Sequence, residues 1–234
     1  MRIFLLSAAL AISLFLPGCA RRSFQSQTLV PAALATHRTV AILPFTVGLE
    51  RLQDVVIRGP EPWTDSVRRP LALTHGPNRQ RWGERRQLGY QLQAELQAAL
   101  MRQQVTHPIT VAFQNPADTN QRLARAGITY ESLPSHSMAE LRAALGVDVV
   151  LLGQTDMRQL LPGSASIALF VLTDSNLMAA NGVRTALDLY DTQTGQLVWR
   201  FDHELAGRPS TSPVALANAL VRHMWRGFPY VAKP

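Results

Sequence analysis

Residues 147–153, Val-Asp-Val-Val-Leu-Leu-Gly, are a nearly continuous apolar run of strand length, preceded by Gly146. A run without alternation reads as a strand buried on both faces, so its sheet needs cover on both sides. That points to an α/β arrangement.

The neighbouring segments supply such cover. Ser137-Met138-Ala139-Glu140 has capping-box spacing, with Ser137 and Glu140 as the pair, and predicts a helix to Leu145 that stops at Gly146. Asp118 to Ala126 reads as a helix capped by Asp118 or Asn115 and ended by Gly127. A longer helix is expected from near Gln80, where Leu88, Leu92, Leu96 and Leu100 recur at i+4 with Ala99 beside them. Arg81, Arg85, Arg86, Gln93 and Gln97 fall off that stripe, and the arginines read as a solvated face.

Thr39 to Phe45 is a short apolar strand leaving its sheet at Pro44, and Val111-Ala112-Phe113 is a second short candidate. Ile167 to Leu172 reads as a strand before the turn Asp174-Ser175-Asn176. Leu187 and Leu189 alternate with Asp188 and Tyr190, and Leu197, Trp199 and Phe201 alternate with Val198 and Arg200. Between them, Asp191 to Gly195 supplies a turn with Gly195 at a φ > 0 position. An even register sets the leucines opposite Trp199 or Phe201 in an antiparallel hairpin. Ser212-Pro213 opens a last helix, proline at its first position, with Leu216, Ala217, Leu220 and Met224 as its stripe. The expected fold is therefore α/β: one mixed sheet of about five strands packed with helices, ending in a hairpin and a C-terminal helix.

Two segments fall outside this scheme. Residues 46–80 carry Pro60, Pro62, Pro70 and Pro77 with Gly59 and Gly76, and read as a long loop with a short strand at Val55-Val56-Ile57. Residues 19–36 are rich in Ser, Gln, Thr and Ala without a period, and read as a flexible tether. The domain is then 37–234.

The first 18 residues have a separate logic. Arg2 precedes the apolar run Ile3 to Leu16, and Leu16-Pro17-Gly18 leads into Cys19, the chain's one cysteine. The run is of signal-peptide length and too short for a transmembrane helix, which needs roughly 20 apolar residues. A lone cysteine cannot form an intrachain disulfide, so the fold rests on its apolar core. The segment resembles the bacterial lipoprotein signal, with Pro17 departing from the usual small residue. That resemblance implies cleavage after Gly18, acylation of Cys19 with a palmitate-type chain, and folding outside the cytoplasm. Ala20, not aspartate, follows the cysteine. This implies anchoring to the outer membrane on its periplasmic face.

Composition narrows the partners. Loss of Arg2 takes the 23 basic residues to 22 against 16 acids, a formal charge of +6, and only Lys233 is a lysine. A nucleic-acid partner is not expected. The arginine bias reads first as genome composition, with attraction to anionic lipid headgroups as the alternative.

No nucleophile elbow, P-loop, dinucleotide glycine pattern or metal-type histidine spacing occurs. The six histidines (37, 75, 107, 136, 203 and 223) are dispersed. His107 reads as a surface turn, and His203 and His223 as packing residues. Asp148, Asp156 and Asp188 are carboxylates near strand ends that could meet in space. No cofactor or metal is implied, and catalysis is not expected.

Thr39-Val-Ala-Ile-Leu-Pro-Phe45, Gly146-Val-Asp-Val-Val-Leu-Leu-Gly153, and Asp191-Thr-Gln-Thr-Gly195 before Leu197-Val-Trp199 together resemble the α/β lipoproteins related to CsgG, to the penicillin-binding-protein activator LpoB and to the TolB N-terminal domain. The resemblance covers residues 39–225. Its motifs are structural and bring no catalytic residue. It implies a non-enzymatic, lipid-anchored envelope protein that binds a protein partner in envelope assembly, transport or cell-wall synthesis. The alternative is a subunit of an oligomeric secretion or envelope complex, including a homo-oligomer. A hydrolase of wall or lipid is the reading from another class, and an assembled nucleophile–base pair would be its sign. Pore-forming strands are not expected, since Ile167–Leu172 is too short for a spanning strand of about 9–11 residues. Partner contact is assigned to the 46–80 segment through Trp63 and to the C-terminal turn through Trp225, Phe228 and Tyr230; the alternative for Trp63 and Trp225 is packing onto the domain itself. Pro62 beside Trp63 lowers the ordering cost of binding.

Overall fold

A computed structural model describes residues 22–51, 79–159, 182–206 and 212–232. Cys19 with its leader, Val55–Ile57, Trp63 and Ile167–Leu172 lie outside the described residues.

In chain order the elements are β1 (Arg22–Thr28), α1 (Pro31–Leu34), β2 (Thr39–Ile42), β3 (Thr46–Arg51), α2 (Arg79–Gln104) and β4 (Ala112–Phe113). They continue with α3 (Pro116–Arg125), α4 (Met138–Leu145), β5 (Val149–Gln159), β6 (Gly182–Asp191), β7 (Leu197–Ala206) and α5 (Pro213–Met224). A 3₁₀ turn over Trp225–Gly227 follows. One seven-stranded mixed sheet runs β1-β7-β6-β5-β2-β4, with β3 also on β5. β2, β3 and β4 join in parallel, whereas β5, β6, β7 and β1 pair antiparallel.

The central strand β5 takes two partners in succession. Val149 to Leu151 pair with β2, and Gln154 to Gln159 pair with β3. The break falls at Leu43-Pro44-Phe45, so the chain leaves the sheet at proline as expected but rejoins the same neighbour three residues on. Residues 46–51 are thus strand, where the sequence reads as the start of a loop.

Neighbouring residues of β2 and β5 enter different cores. Val40, Ile42, Val149 and Leu151 face the larger one, with Leu92, Leu96 and Leu100 of α2 and Leu216, Leu220 and Met224 of α5. Ala41, Leu43 and Val150 face the smaller one, with Leu123 of α3 and Leu141 and Leu145 of α4. This is the two-sided burial that the unbroken apolar run demands. Beyond Gly153 the strand alternates: Thr155 and Met157 are buried, Gln154, Asp156 and Arg158 exposed. There, among the described residues, helices cover one face alone.

Local signals set the helix ends. Asn115, not Asp118, caps α3, accepting from Ala117 N at 2.8 Å. Ser137 and Glu140 form the reciprocal box of α4. The hairpin register sets Leu187 opposite Phe201 and Leu189 opposite Trp199. Asp191 Oδ1 accepts from Gln193 N (2.8 Å) and Thr194 N (2.7 Å), and Gly195 closes the turn at φ 72°.

The tether reading is corrected over most of its length. Residues 22–28 add β1 to the outer edge of β7, from Arg22 opposite Leu205 to Thr28 opposite Trp199. Ser23 to Thr28 are all exposed, so their side chains carry no burial pattern. Backbone pairing to an otherwise open strand holds them instead.

The C-terminal turn also differs from its reading as a contact surface. Trp225, Phe228 and Tyr230 are 7%, 3% and 1% exposed and belong to the larger core. They close the end of the sheet that α5 leaves open. Among the described residues, no helix is long and apolar enough to cross a membrane.

Candidate functional site

The chain's path creates one place where ligands collect in open α/β sheets. From β2 it crosses one face through α2 to β4. From β4 it returns over the other face through α3 and α4 to β5, on the opposite side of β2. The carboxyl end of β2 is therefore a topological switch point, where helices diverge to leave a crevice.

A cleft of about 330 Å³ lies there, walled by Arg86 and Tyr90 of α2, Asn120 and Leu123 of α3, and Tyr130 and Glu131 from the loop after α3. α2 approaches closely because residue 89 is glycine. A β-carbon there would sit 2.8 Å from the Tyr130 ring and clash with the Phe45 carbonyl. Tyr130 fastens its loop to the bend between β2 and β3: its hydroxyl donates to Phe45 O at 2.8 Å and accepts from Val47 N at 3.3 Å.

Beneath the cleft lies a polar pair. Gln93 is fully buried, although its place off the leucine stripe suggests solvent. Its Nε2 donates to Ile42 O at 2.7 Å and to Asn120 Oδ1 at 3.1 Å, and Asn120 Nδ2 donates back to Gln93 Oε1 at 2.9 Å. The bend at Pro44 takes the chain out of the ladder, and Gln93 supplies the donor for the Ile42 carbonyl.

The phenols frame the opening, with Tyr90 and Tyr130 ring centroids 5.9 Å apart at 44°. Burial pushes both hydroxyls above the usual tyrosine range, helped by the Glu131 charge and opposed by Arg86 at Tyr90 and Arg85 at Tyr130. They stay protonated at neutral pH and act as hydrogen-bonding groups. With an arginine and a glutamate alongside, the cleft suits an amphipathic ligand held by stacking and charge.

The other polar cluster is closed. His37 is 3% exposed, with Nδ1 2.7 Å from Tyr230 Oη and Nε2 3.0 Å from Asp191 Oδ2. A carboxylate only accepts, so Nε2 carries the proton toward Asp191 and Nδ1 accepts from the tyrosine. Both nitrogens are committed, which leaves no lone pair for a substrate. Nearby, Asp148 Oδ2 accepts from Arg38 N (2.8 Å), Thr39 N (2.9 Å) and Thr39 Oγ1 (3.1 Å). Asp191 fastens the chain before β2 to the hairpin turn, and Asp148 fastens it to the entry of β5.

The three aspartates singled out in the sequence are not brought together. Asp148 precedes β5, Asp156 lies opposite Arg184, and Asp188 forms a bidentate pair with Arg200 at 2.7 Å for both bonds. His107 is exposed, and His203 packs against His223. No three His, Cys, Asp or Glu side chains converge to hold a metal among the described residues. The switch-point cleft and the His37 array were missed in sequence. Pro44 ending an apolar strand was the one available signal for the cleft.

No protein-family model matches the chain, and no curated protein matches it in sequence. Among solved structures, it is similar to the PelC dodecamer from Paraburkholderia phytofirmans, at 11% identity and TM-score 0.38, covering 92% of this chain and 100% of that one. It is similar to lipoprotein GNA1162 from Neisseria meningitidis at 13% identity and TM-score 0.42, covering 81% and 99%. The LpoB C-terminal domain from Escherichia coli matches at 10% identity and TM-score 0.31, covering 74% and 84%.

Proposed function

We propose that this chain is a lipid-anchored protein of the bacterial cell envelope, held by acylated Cys19 on the periplasmic face of the outer membrane, whose α/β domain binds a protein partner without catalysing a reaction. The observation that carries the binding reading is the switch-point cleft. Its walls offer Tyr90, Tyr130 and Arg86, residue types that dominate protein contacts, and no nucleophile–base pair. The anchor reading rests on the leader and the solitary cysteine. Trp63, beyond β3, is a further contact in this proposal.

Crosslinking from intact envelopes tests it. Arg86→Ala with Tyr90→Ala should lose the captured partner while circular dichroism stays unchanged. Deletion of residues 52–76, which leaves β3 whole, should do the same if Trp63 contributes. Capture at unchanged yield in the double variant would remove the cleft from the proposal.

A second reading, a subunit of an oligomeric complex, is favoured by the outer edge of β1, which pairs with no further strand among the described residues and presents seven residues of backbone. Solution mass separates the two, since a ring is many times 25.8 kDa.

A further inference from the structure

A second cleft, of about 410 Å³, opens between α2 and α5 on the far side of the larger core. Arg102 comes from the last turn of α2, Arg222 from the last turn of α5, and Arg226 from the 3₁₀ turn. His107 and Trp225 complete the basic end, their rings 6.0 Å apart at 66°. Among the described residues, no carboxylate lines the cleft. Among the described residues none of the three guanidinium groups forms an ion pair, and Arg102 donates to the neutral Asn218 Oδ1 at 2.9 Å.

Helix dipoles explain an arginine at either helix end taken singly. They do not explain three guanidinium groups around one cleft without an acid among them. Such a group repels itself, and an anion shared between its members removes the repulsion. Guanidinium is also the side chain that matches phosphate with two parallel hydrogen bonds. The buried Trp225 indole, which lines the same cleft, adds an Nε1–H with no hydrogen-bond partner among the described residues.

We propose that the α2–α5 cleft is a binding site for phosphate-type anions, with Arg222 and Arg226 as the principal contacts and Arg102 in support. Its place in the fold puts it near a source. β1 packs against the same end of α5, on residues next to the cleft's arginines: Ser26 Oγ donates to Gly227 O at 3.2 Å, and Phe24, 57% exposed, stacks on His223 at 5.1 Å. Cys19 precedes β1 by three residues, at most about 10 Å of extended chain. An acylated Cys19 therefore keeps this edge close to the phospholipid headgroups. That placement rests on the lipid-anchor reading; the anion site does not.

The test uses the mature, lipidated protein in nonionic detergent, titrated calorimetrically with inorganic phosphate and, separately, with glycerophosphoglycerol, a phospholipid headgroup without its tails. Arg222→Gln with Arg226→Gln is compared with Arg125→Gln with Arg142→Gln, which removes equal charge from the α3–α4 side. Saturable binding that weakens about tenfold or more in the first variant and not in the second is the expected result. Binding of the headgroup identifies lipid as the source, and binding of inorganic phosphate alone identifies a soluble anion. Trp225→Phe, which keeps the packing, should weaken binding if the indole N–H takes part. Absence of saturable binding by either probe, or equal weakening in both arginine pairs, overturns the proposal. Neither result bears on palmitate labelling of Cys19 or on partner capture, so the two readings fail separately.

Discussion

Tyr230→Phe isolates the contribution of the buried His37 array. The substitution removes one oxygen and keeps the ring, which packs edge-on against Phe228 with centroids 5.6 Å apart. What is lost is the 2.7 Å bond to His37 Nδ1. At 3% exposure the histidine has no water to replace it, so the cost is that of a buried acceptor left unmet, about 1–3 kcal/mol. Equilibrium urea unfolding of the leaderless protein should show that loss as a lower midpoint at unchanged slope. A difference below about 0.5 kcal/mol, the ordinary range of surface substitutions, would refute the assignment of the array as a fastening device.

Acid titration supplies an independent check through Asp191. Burial pushes its carboxyl upward, but the hydrogen bonds from His37 and from the Thr194 and Gln193 backbone outweigh this and hold it below the usual range. A carboxylate depressed by folding binds protons more weakly in the folded state. Its contribution to stability is complete above the unfolded value near 4 and is lost as pH falls through the folded value. The stability gap between wild type and Asp191→Asn should thus be widest at neutral pH and narrow below about pH 4. A gap that widens on acidification would show that the carboxylate is not the stabilising form.

Trp199→Ala should cost about 3–5 kcal/mol, because the side chain is fully buried and its Nε1 donates to Gly227 O at 2.8 Å; a loss under about 1 kcal/mol would mean that it does not hold the core. Gly153→Ala should cost about 1–3 kcal/mol, since its β-carbon would lie 2.5 Å from the Phe45 ring; thermal unfolding at wild-type temperature would show that Phe45 moves freely. Cys19→Ser should leave an unprocessed precursor without palmitate label, and normal processing would remove the anchor reading. Protease treatment of whole cells should spare the protein, whereas its rapid loss would place it on the outer surface.

Much of this architecture is legible where burial and turn chemistry agree. The hairpin alternates cleanly because one of its faces is solvated, and Asp191 and Gly195 mark its turn. The α4 box and the α5 stripe are each set within a few residues. Other features depend on groups far apart in sequence. β1 is exposed from Ser23 to Thr28, so the edge of β7 and contacts with the far end of the chain, not a burial pattern, give it structure. Gln93 is buried because a carbonyl 51 residues away needs a donor. His37 meets Tyr230 across 193 residues. The switch-point cleft is a property of strand order, which local periodicity does not encode.

The aromatic C-terminal turn shows how the same residues carry two readings. After the last periodic position of α5, Trp225, Phe228 and Tyr230 follow without helical or strand spacing, the pattern of an exposed anchor. The fold supplies the missing partner. Trp199 and Phe201 project from β7 with their rings parallel, 6.0 Å apart, and Phe228 covers the Trp199 ring edge-on at 5.5 Å. The turn's polar groups are drawn in with it: Gly227 O accepts from Trp199, Tyr230 Oη donates to His37, and Tyr230 O accepts from Thr110 N at 2.9 Å. The turn therefore ties α5, the hairpin and the chain before β2 together from one end. With its large aromatic rings spent on the core, what this end of the domain leaves exposed beside the turn is the arginine-lined cleft and the edge of β1.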